Sequence, residues 1–509
     1  MMAALTTSDK IAVIGAGTMG AGIAQVAANA GHAVILLDIA DGAAQKGADG
    51  IRLGLGRLVE KGKKTQAEVD DLLLKITPTD RLSDIKGSRL IVEAIVENLA
   101  VKQRVIADIE AIADKDTIIA SNTSSISISA LAATASRPEN IIGMHFFNPA
   151  AILKLVEVVS GLQTNLSVAQ IVFDTAAAWG KKPVHAKSTP GFIVNRVARP
   201  FYAEALRSLT EQLASVETID TLMRSCGGFK MGPLELTDLI GQDINSAVTE
   251  SVYNAFYQDK RFMPSVLQAE MVAAGLLGRK SGQGFYRYPH EEKGALDDAS
   301  LPVVKSKTVS VLGSFNGAIG LNNCLEEHGY QVSPSSSSDS GLDVARIEVG
   351  SATIKISDGR TATQRSAEDG IDNLVLLDYA RDYHLTPDIA LSCGVTSSDQ
   401  AQQEASDFFR SLGKRIHWVK DTPGMQVLRT VCMLVNEAHD AVNQGVCSFD
   451  AVDTAMQAGV AYPAGPIAWG DSIGLSRVVM VLNNIQRAYG EERYRVSPLL
   501  LNRSYESSA

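Results

Sequence analysis

A chain of 509 residues is too long for one packed core and divides into roughly three or four domains. Its composition, 45% hydrophobic and 20% charged, is that of an ordinary globular protein, and no apolar run is long enough to span a bilayer. A formal charge of -10 argues against bulk phosphate-backbone binding to nucleic acid, and five cysteines without CxxC spacing are too few for a disulfide framework in so long a chain.

Met1–Lys10 lacks the apolar core of a secretory signal, so a cytoplasmic protein is expected, with Cys226, Cys324, Cys393, Cys432 and Cys447 as reduced packing residues. Ile11-Ala12-Val13-Ile14 then reads as a buried strand that runs into Gly15-Ala16-Gly17-Thr18-Met19-Gly20 and a helix over Ala21–Ala30. In a strand, turn and helix of this kind Gly15 allows the tight turn, Gly17 lets backbone approach a pyrophosphate, and Gly20 lets helix pack on strand. Thr18 and Met19 lie in the same loop. Ala33–Leu37 is a second strand, and Asp38 closes it, one helix and one strand beyond Gly15, where a carboxylate accepts the adenosine ribose hydroxyls and repels a 2′-phosphate. The cofactor expected is therefore NAD.

A helical hairpin is predicted over Lys46–Lys75, with Lys61, Lys63 and Lys64 either facing a phosphorylated substrate or simply solvated. Strands follow at Leu90–Val96, Thr117–Ser121, Ile141–Phe146 and Leu155–Val159, which makes the segment 1–187 a doubly wound α/β domain. Three polar groups fall where strand ends meet a crevice: Ser124, His145 and Glu157. His145 closes an apolar strand, and Glu157 sits inside one, an expensive place for a carboxylate without a partner.

These residues resemble the 3-hydroxyacyl-CoA dehydrogenase family. The likeness rests on the Gly15 loop, Glu93–Asn98 with Lys102, Asn122–Ser125, Gly143–Pro149, Lys154–Glu157 and Pro190–Arg196. It continues through Gly232-Pro233 and Asp238 to Gly278–Tyr286, so the matching motifs stand in order over more than half of the chain. The resemblance implies NAD-dependent oxidation of a 3-hydroxyacyl-CoA, with His145 as general base, Glu157 as its orienting partner, and Ser124 and Asn195 holding the reacting oxygen. Asp38, Glu97, Lys102, Asn122, Asn148 and Lys280 would serve the nucleotide. The expected partner is the acyl-CoA substrate in a homodimer, with no metal, membrane or nucleic acid. The chemistry agrees, because an imidazole can take the hydroxyl proton as hydride leaves, while a buried carboxylate selects its tautomer.

From Ser188 the pattern turns helical, with helices over Ile193–Leu213 and Ser215–Cys226 and another opened by Gly232-Pro233. It then repeats: Thr189-Pro190-Gly191, Asp220-Thr221, Gly232-Pro233, Asp238 and Gly241 return at one constant offset, without a gap, as Thr422-Pro423-Gly424, Asp453-Thr454, Gly465-Pro466, Asp471 and Gly474. Upstream the repeat weakens. Val309–Gly313 resembles another first strand, yet Gly313–Gly320 has lost the pyrophosphate spacing, and at the same offset Glu157 and Asn195 fall on Ala390 and Leu428. Pro334–Ser340 is a Ser-rich loop. The expected organisation is a Rossmann domain (1–187), a helical domain (188–290), a degenerate Rossmann-like segment (300–420) and a second helical domain (421–509). This copy is expected to be catalytically silent, with Val427, Val431, Leu434 and Val435 as an apolar face that covers the first helical domain. The length resembles that of the long bacterial members, including those acting on 3-hydroxyadipyl-CoA in phenylacetate breakdown. A 3-hydroxybutyryl-CoA dehydrogenase and a silent scaffold of the same fold are the alternatives.

Overall fold

The computed structural model describes residues 4–289, 309–313, 315, 317–333 and 345–506; the Ser-rich loop and the segment joining the halves lie outside them. Backbone contacts divide the chain into two compact units, 1–196 with 444–460, and 197–443 with 461–509.

The first unit is built on an eight-stranded sheet: β1 (Lys10–Ile14), β2 (Val34–Leu37), β3 (Ile76–Thr79), β4 (Ser88–Glu93), β5 (Ile118–Ser121), β6 (Ile141–Phe146), β7 (Leu155–Ser160) and β8 (Lys182–Lys187), ordered β3-β2-β1-β4-β5-β6-β7-β8. All neighbours are parallel except β6 and β7. The doubly wound reading therefore holds for six strands, and an antiparallel return brings β7 back against β6. Ile11, Val13, Leu36, Val92 and Met144 form its core with Ile23 and Ala27 of the helix Thr18–Asn29, as the apolar runs require.

Two strands of this sheet carry no apolar signature in the sequence. β3 carries Pro78, which removes a ladder donor, and β8 reads Lys-Pro-Val-His-Ala-Lys; both are edge strands, where proline and lysine are tolerated. The stretch read as one helix over Ile193–Leu213 is two, Val194–Val197 and Arg199–Thr210, because Pro200 cannot donate to the preceding turn.

The second unit holds a seven-stranded mixed sheet of β9 (Val309–Leu312), β10 (Val332–Ser333), β11 (Arg346–Val349), β12 (Ala352–Ile356), β13 (Leu374–Leu377), β14 (Asp388–Cys393) and β15 (Arg415–Trp418), ordered β10-β9-β11-β12-β13-β14-β15. Beside it lie both sets of helices. The helix Val427–Asn443 packs on Arg199–Thr210, and Val427, Val431, Leu434 and Val435 are fully buried there. Buried ion pairs and a hydrogen bond tie the two helical copies together: Glu204 accepts from Arg493 (3.0 Å) and from the Tyr494 hydroxyl (2.9 Å), and Arg261 donates to Glu437 (3.1 Å).

The copies also cross. In the first unit, Lys187 N donates to Val446 O (2.8 Å), and the helix Phe449–Val460 packs on β7 and β8. At the corresponding positions of the repeat, in the second unit, Lys420 N donates to Leu213 O (2.9 Å), and the helix Val216–Ser225 packs on β14. Each sheet is thus covered by a helix from the other repeat. Among the described residues no helix is long and apolar enough to cross a membrane, and the five cysteines are free, three of them buried.

Candidate active site

The antiparallel register puts His145 of β6 directly opposite Glu157 of β7. His145 Nδ1 and Glu157 Oε2 lie 2.6 Å apart, with the carboxylate fully buried and the ring 5% exposed. The other oxygen, Oε1, accepts from Ile193 N and Val194 N, both at 3.0 Å. Glu157 therefore does two things: it caps the first turn of the helix Val194–Val197 and it orients an imidazole. With Nδ1 donating to the carboxylate, the acceptor lone pair lies on Nε2. Phe147 and Phe192 flank the ring, with centroids 4.5 and 5.8 Å away. Phe192 has φ 48°, a left-handed conformation that costs a non-glycine residue roughly 1–3 kcal/mol, and it follows Gly191 at φ 74°. The Pro190-Gly191-Phe192 turn spends that energy to aim two N–H groups at Glu157.

A second network fixes the Asn122–Ser125 turn. Buried Glu93 pairs with Lys102 (2.5 Å) and accepts from Ser121 Oγ (2.7 Å). Glu97 Oε1 accepts from Thr123 Oγ1 (2.6 Å), Ser124 N (3.1 Å) and Ser125 Oγ (3.0 Å), and Oε2 lies 3.4 Å from Lys102. Burial raises the Glu97 carboxyl, but these hydrogen bonds and the Lys102 charge outweigh it and leave it below the ordinary range. The Asn122 amide oxygen accepts from Phe146 N (2.8 Å), which ties the turn to the end of the strand bearing His145. Ser124 and Asn195 are half-buried, and Asn148 is exposed.

The Gly15 loop fits a dinucleotide. A Cβ on Gly20 would fall 1.7 Å from Gly15 O, and one on Gly15, at φ 97°, would fall 2.6 Å from Ala94 O, so both positions demand glycine. Gly17 faces open space at the start of the helix Thr18–Asn29, whose first turn has no side-chain cap and no acidic residue. Those N–H groups are left for an anion such as a pyrophosphate. Asp38, at the end of β2, accepts from Ala16 N (2.8 Å) and Ala40 N (3.0 Å), which holds its carboxylate beside the loop.

Of the predicted site residues, the first unit holds all but Lys280. That residue belongs to the second unit, where its ammonium pairs with Asp243 at 2.6 Å. The sequence reading missed Lys181, a buried lysine that donates to Ala150 O (2.5 Å) and Leu153 O (2.8 Å) and so pins the loop between β6 and β7; burial, then Lys154, lowers its ammonium to about 8. Gly180-Lys181 returns in the sequence as Gly413-Lys414 at the offset of the repeat, and Lys414 makes the same kind of contact to Thr386 O (2.8 Å).

Residues 10–189 match the 3-hydroxyacyl-CoA dehydrogenase NAD-binding domain, and residues 191–288 and 424–507 match the C-terminal domain of that family. Residues 354–423 match the 3-hydroxybutyryl-CoA dehydrogenase reduced Rossmann-fold domain. The chain belongs to the 3-hydroxyacyl-CoA dehydrogenase family. It is 42% identical over 97% of both chains to a protein named 3-hydroxyadipyl-CoA dehydrogenase from Escherichia coli, and 45% identical over 55% of its own length to the whole of a probable 3-hydroxybutyryl-CoA dehydrogenase from Deinococcus radiodurans. A crystal structure described as 3-hydroxybutyryl-CoA dehydrogenase from Escherichia coli K12 superposes with TM-score 0.87 at 40% identity, covering 99% of each chain. The protein is thus an NAD-dependent oxidoreductase of the 3-hydroxyacyl-CoA type, with one glycine-loop domain and a reduced second copy.

Proposed function

We propose that the chain oxidises a (3S)-3-hydroxyacyl-CoA to the 3-oxoacyl-CoA with His145 as general base, and that its substrate is 3-hydroxyadipyl-CoA in aromatic-acid breakdown. The observation that carries the base is the 2.6 Å contact of His145 with buried Glu157, which leaves Nε2 as the acceptor. Full-length similarity to the Escherichia coli 3-hydroxyadipyl-CoA dehydrogenase supports the acyl chain. NAD, when bound, accepts the hydride from the substrate carbon. His145 Nε2 takes the hydroxyl proton, and Glu157 stabilises the imidazolium that results. Ser124 and Asn195 hold the reacting oxygen, while Asp38, Glu97, Lys102, Asn122 and Asn148 serve the nucleotide side. Four sequence domains, 1–187, 188–290, 300–420 and 421–509, are the repeat units, and each compact unit draws on more than one of them.

A second reading, 3-hydroxybutyryl-CoA as substrate, is favoured by the description of the structure with TM-score 0.87. NADH formation at 340 nm with 3-hydroxyadipyl-, 3-hydroxybutyryl- and longer 3-hydroxyacyl-CoA esters decides between them. The highest kcat/KM is expected for the adipyl ester, and no NADH from any of them contradicts the proposed reaction.

A further inference from the structure

Ser124 owes its place to acids that lie outside its own turn. Glu97 Oε1 gathers Ser124 N, Ser125 N (3.2 Å) and the hydroxyls of Thr123 and Ser125, so the backbone of the turn hangs from one oxygen. The Ser124 hydroxyl itself has no hydrogen-bond partner among the described residues. The other oxygen of Glu97 stands 3.4 Å from the buried Lys102 ammonium, which sits closer to Glu93, at 2.5 Å. Glu93 is fully buried at the end of β4 and reaches the turn by a second route as well: Ser121 Oγ donates to it (2.7 Å) and accepts from Thr123 N (3.2 Å). The second unit builds the same turn differently. There β12 stands where β5 stands in the first sheet, beside the strand that precedes the antiparallel return. Ser125 N donates to Thr123 Oγ1 at 3.3 Å in one turn, and Gly359 N to Ser357 Oγ at 3.4 Å in the other. Between those residues lies Ser124 in the first and Asp358 in the second. Asp358 supplies an acid from within the turn, accepting from Arg360 N (3.0 Å) and Arg360 Nε (2.9 Å) with Arg365 at 3.3 Å. A turn that presents a serine at this place has to take its acid from another element.

We propose that Glu93 is a positioning residue of the dehydrogenase site: by holding the Lys102 ammonium it leaves Glu97 to the Ser124 turn and so sets where the Ser124 hydroxyl stands. The inference rests on the reading of Ser124 as a holder of the reacting oxygen. One buried ammonium lies between two carboxylates, and the shorter contact decides which of them it engages. Without the charge of Glu93, Glu97 is the carboxylate that remains to Lys102, and a buried cation with a single partner draws that partner close. Glu97 then leaves the N–H groups of Ser124 and Ser125, and the turn loses the acceptor that holds it. A displacement on the order of 1 Å at a group that holds reacting atoms is enough to slow the reaction.

The test is a double-mutant cycle in the full chain, measured with saturating NAD and the best ester of the CoA panel. Glu93→Gln keeps the shape of the side chain and an acceptor for Ile95 N (2.8 Å) but removes the charge. It lowers kcat roughly tenfold and leaves the KM for the ester within about twofold, because the Ser124 hydrogen bond strengthens only as the alkoxide forms. Ser124→Ala lowers kcat by roughly 10²-fold, and in that background Glu93→Gln costs less than about twofold more, since the group it positions is gone. Ser121→Ala, which cuts the second route and leaves the ion pair in place, gives a smaller loss of about threefold that vanishes in the same background; it carries the test if Glu93→Gln does not fold. Effects of Glu93→Gln and Ser124→Ala that multiply overturn the proposal, because a merely structural role is independent of Ser124. So does a Glu93→Gln enzyme at the wild-type rate, or one altered only in its Kd for NAD. Ser124→Ala at the wild-type rate removes the reading of Ser124 and this inference with it; a slow Ser124→Ala beside a multiplying Glu93→Gln removes only the role of Glu93.

Discussion

In the alignment of the two repeats His145 corresponds to Asp378 and Glu157 to Ala390, and the two regions solve the same local problem with different strands. In the first, Glu157 reaches from β7 to the N–H groups of Ile193 and Val194. In the second, Asp378, just past β13, accepts from Gln426 N (3.1 Å), Val427 N (2.9 Å) and Leu428 N (3.1 Å). The capped turn is the same in both, down to the left-handed pair, Gly191 and Phe192 in one and Gly424 and Met425 in the other. A buried carboxylate on this turn is therefore a requirement of the backbone, and what sets the first copy apart is the imidazole beside it. Where the second copy has no histidine it has no need of a glutamate on the return strand, and the histidine's own position supplies the cap.

The largest expected effect tests that division directly. His145→Gln lowers kcat by roughly 10²–10⁴-fold, the range for loss of a positioned general base, while calorimetry finds NAD binding intact. Glu157→Gln is slow as well and also less stable, since it weakens a cap, whereas Asp378→Asn stays within about twofold of wild-type turnover. Near-normal turnover in His145→Gln, or a slow Asp378→Asn, breaks the comparison. Next in size, a fragment ending near Tyr288 lacks the helix Phe449–Val460 on β7 and β8 and the helix Val427–Asn443 on Arg199–Thr210. It is expected to self-associate and to lose most activity; a monomeric fragment of full activity by sedimentation and assay contradicts the crossed arrangement. A smaller effect is stoichiometric: one NAD binds per full chain, because Gly313–Gly320 lacks the pyrophosphate spacing, and a titration that reaches two sinks the view of the second copy as nucleotide-free.

The smallest effect is a pH dependence of stability. Burial raises the Asp378 carboxyl from 3.8 to about 6, against the pull of its backbone donors. A folded value above the unfolded one favours the fold most below about pH 4, and that advantage is lost as pH rises through about 6. Between about pH 4.5 and 7.5 wild type should lose up to about 2–3 kcal/mol relative to Asp378→Asn, whose amide does not titrate. Urea melts at the two values measure it, and a constant gap between the proteins refutes the assignment.

Much of the first unit was legible because its strands are short apolar runs bounded by functional turns: Ile11–Ile14 leads into the Gly15 loop, and Ile141–Phe146 ends on His145. Glu157 stood out as a charge in an apolar strand. What stayed hidden is what pairs across long distances. Edge strands β3 and β8 carry Pro78, Lys182 and Lys187 and so lack the apolar signature. Asp378 was invisible as a replacement because residue-by-residue comparison sets it against a histidine and sets Glu157 against an alanine.

The crossing of the two helices also sets an order of events during synthesis. The stretch Met1–Arg196 can pair its strands as it emerges, but the helix that covers β7 and β8 begins only at Phe449, after most of the second unit has been made. At roughly 5–20 residues per second the ribosome takes on the order of 12–50 s to deliver it, far longer than the ms to s in which such a sheet forms. Throughout that interval β8 is an unprotected edge and one face of the return strand is bare, open to pairing with another nascent chain. The nicotinamide-binding half is made first and finished last.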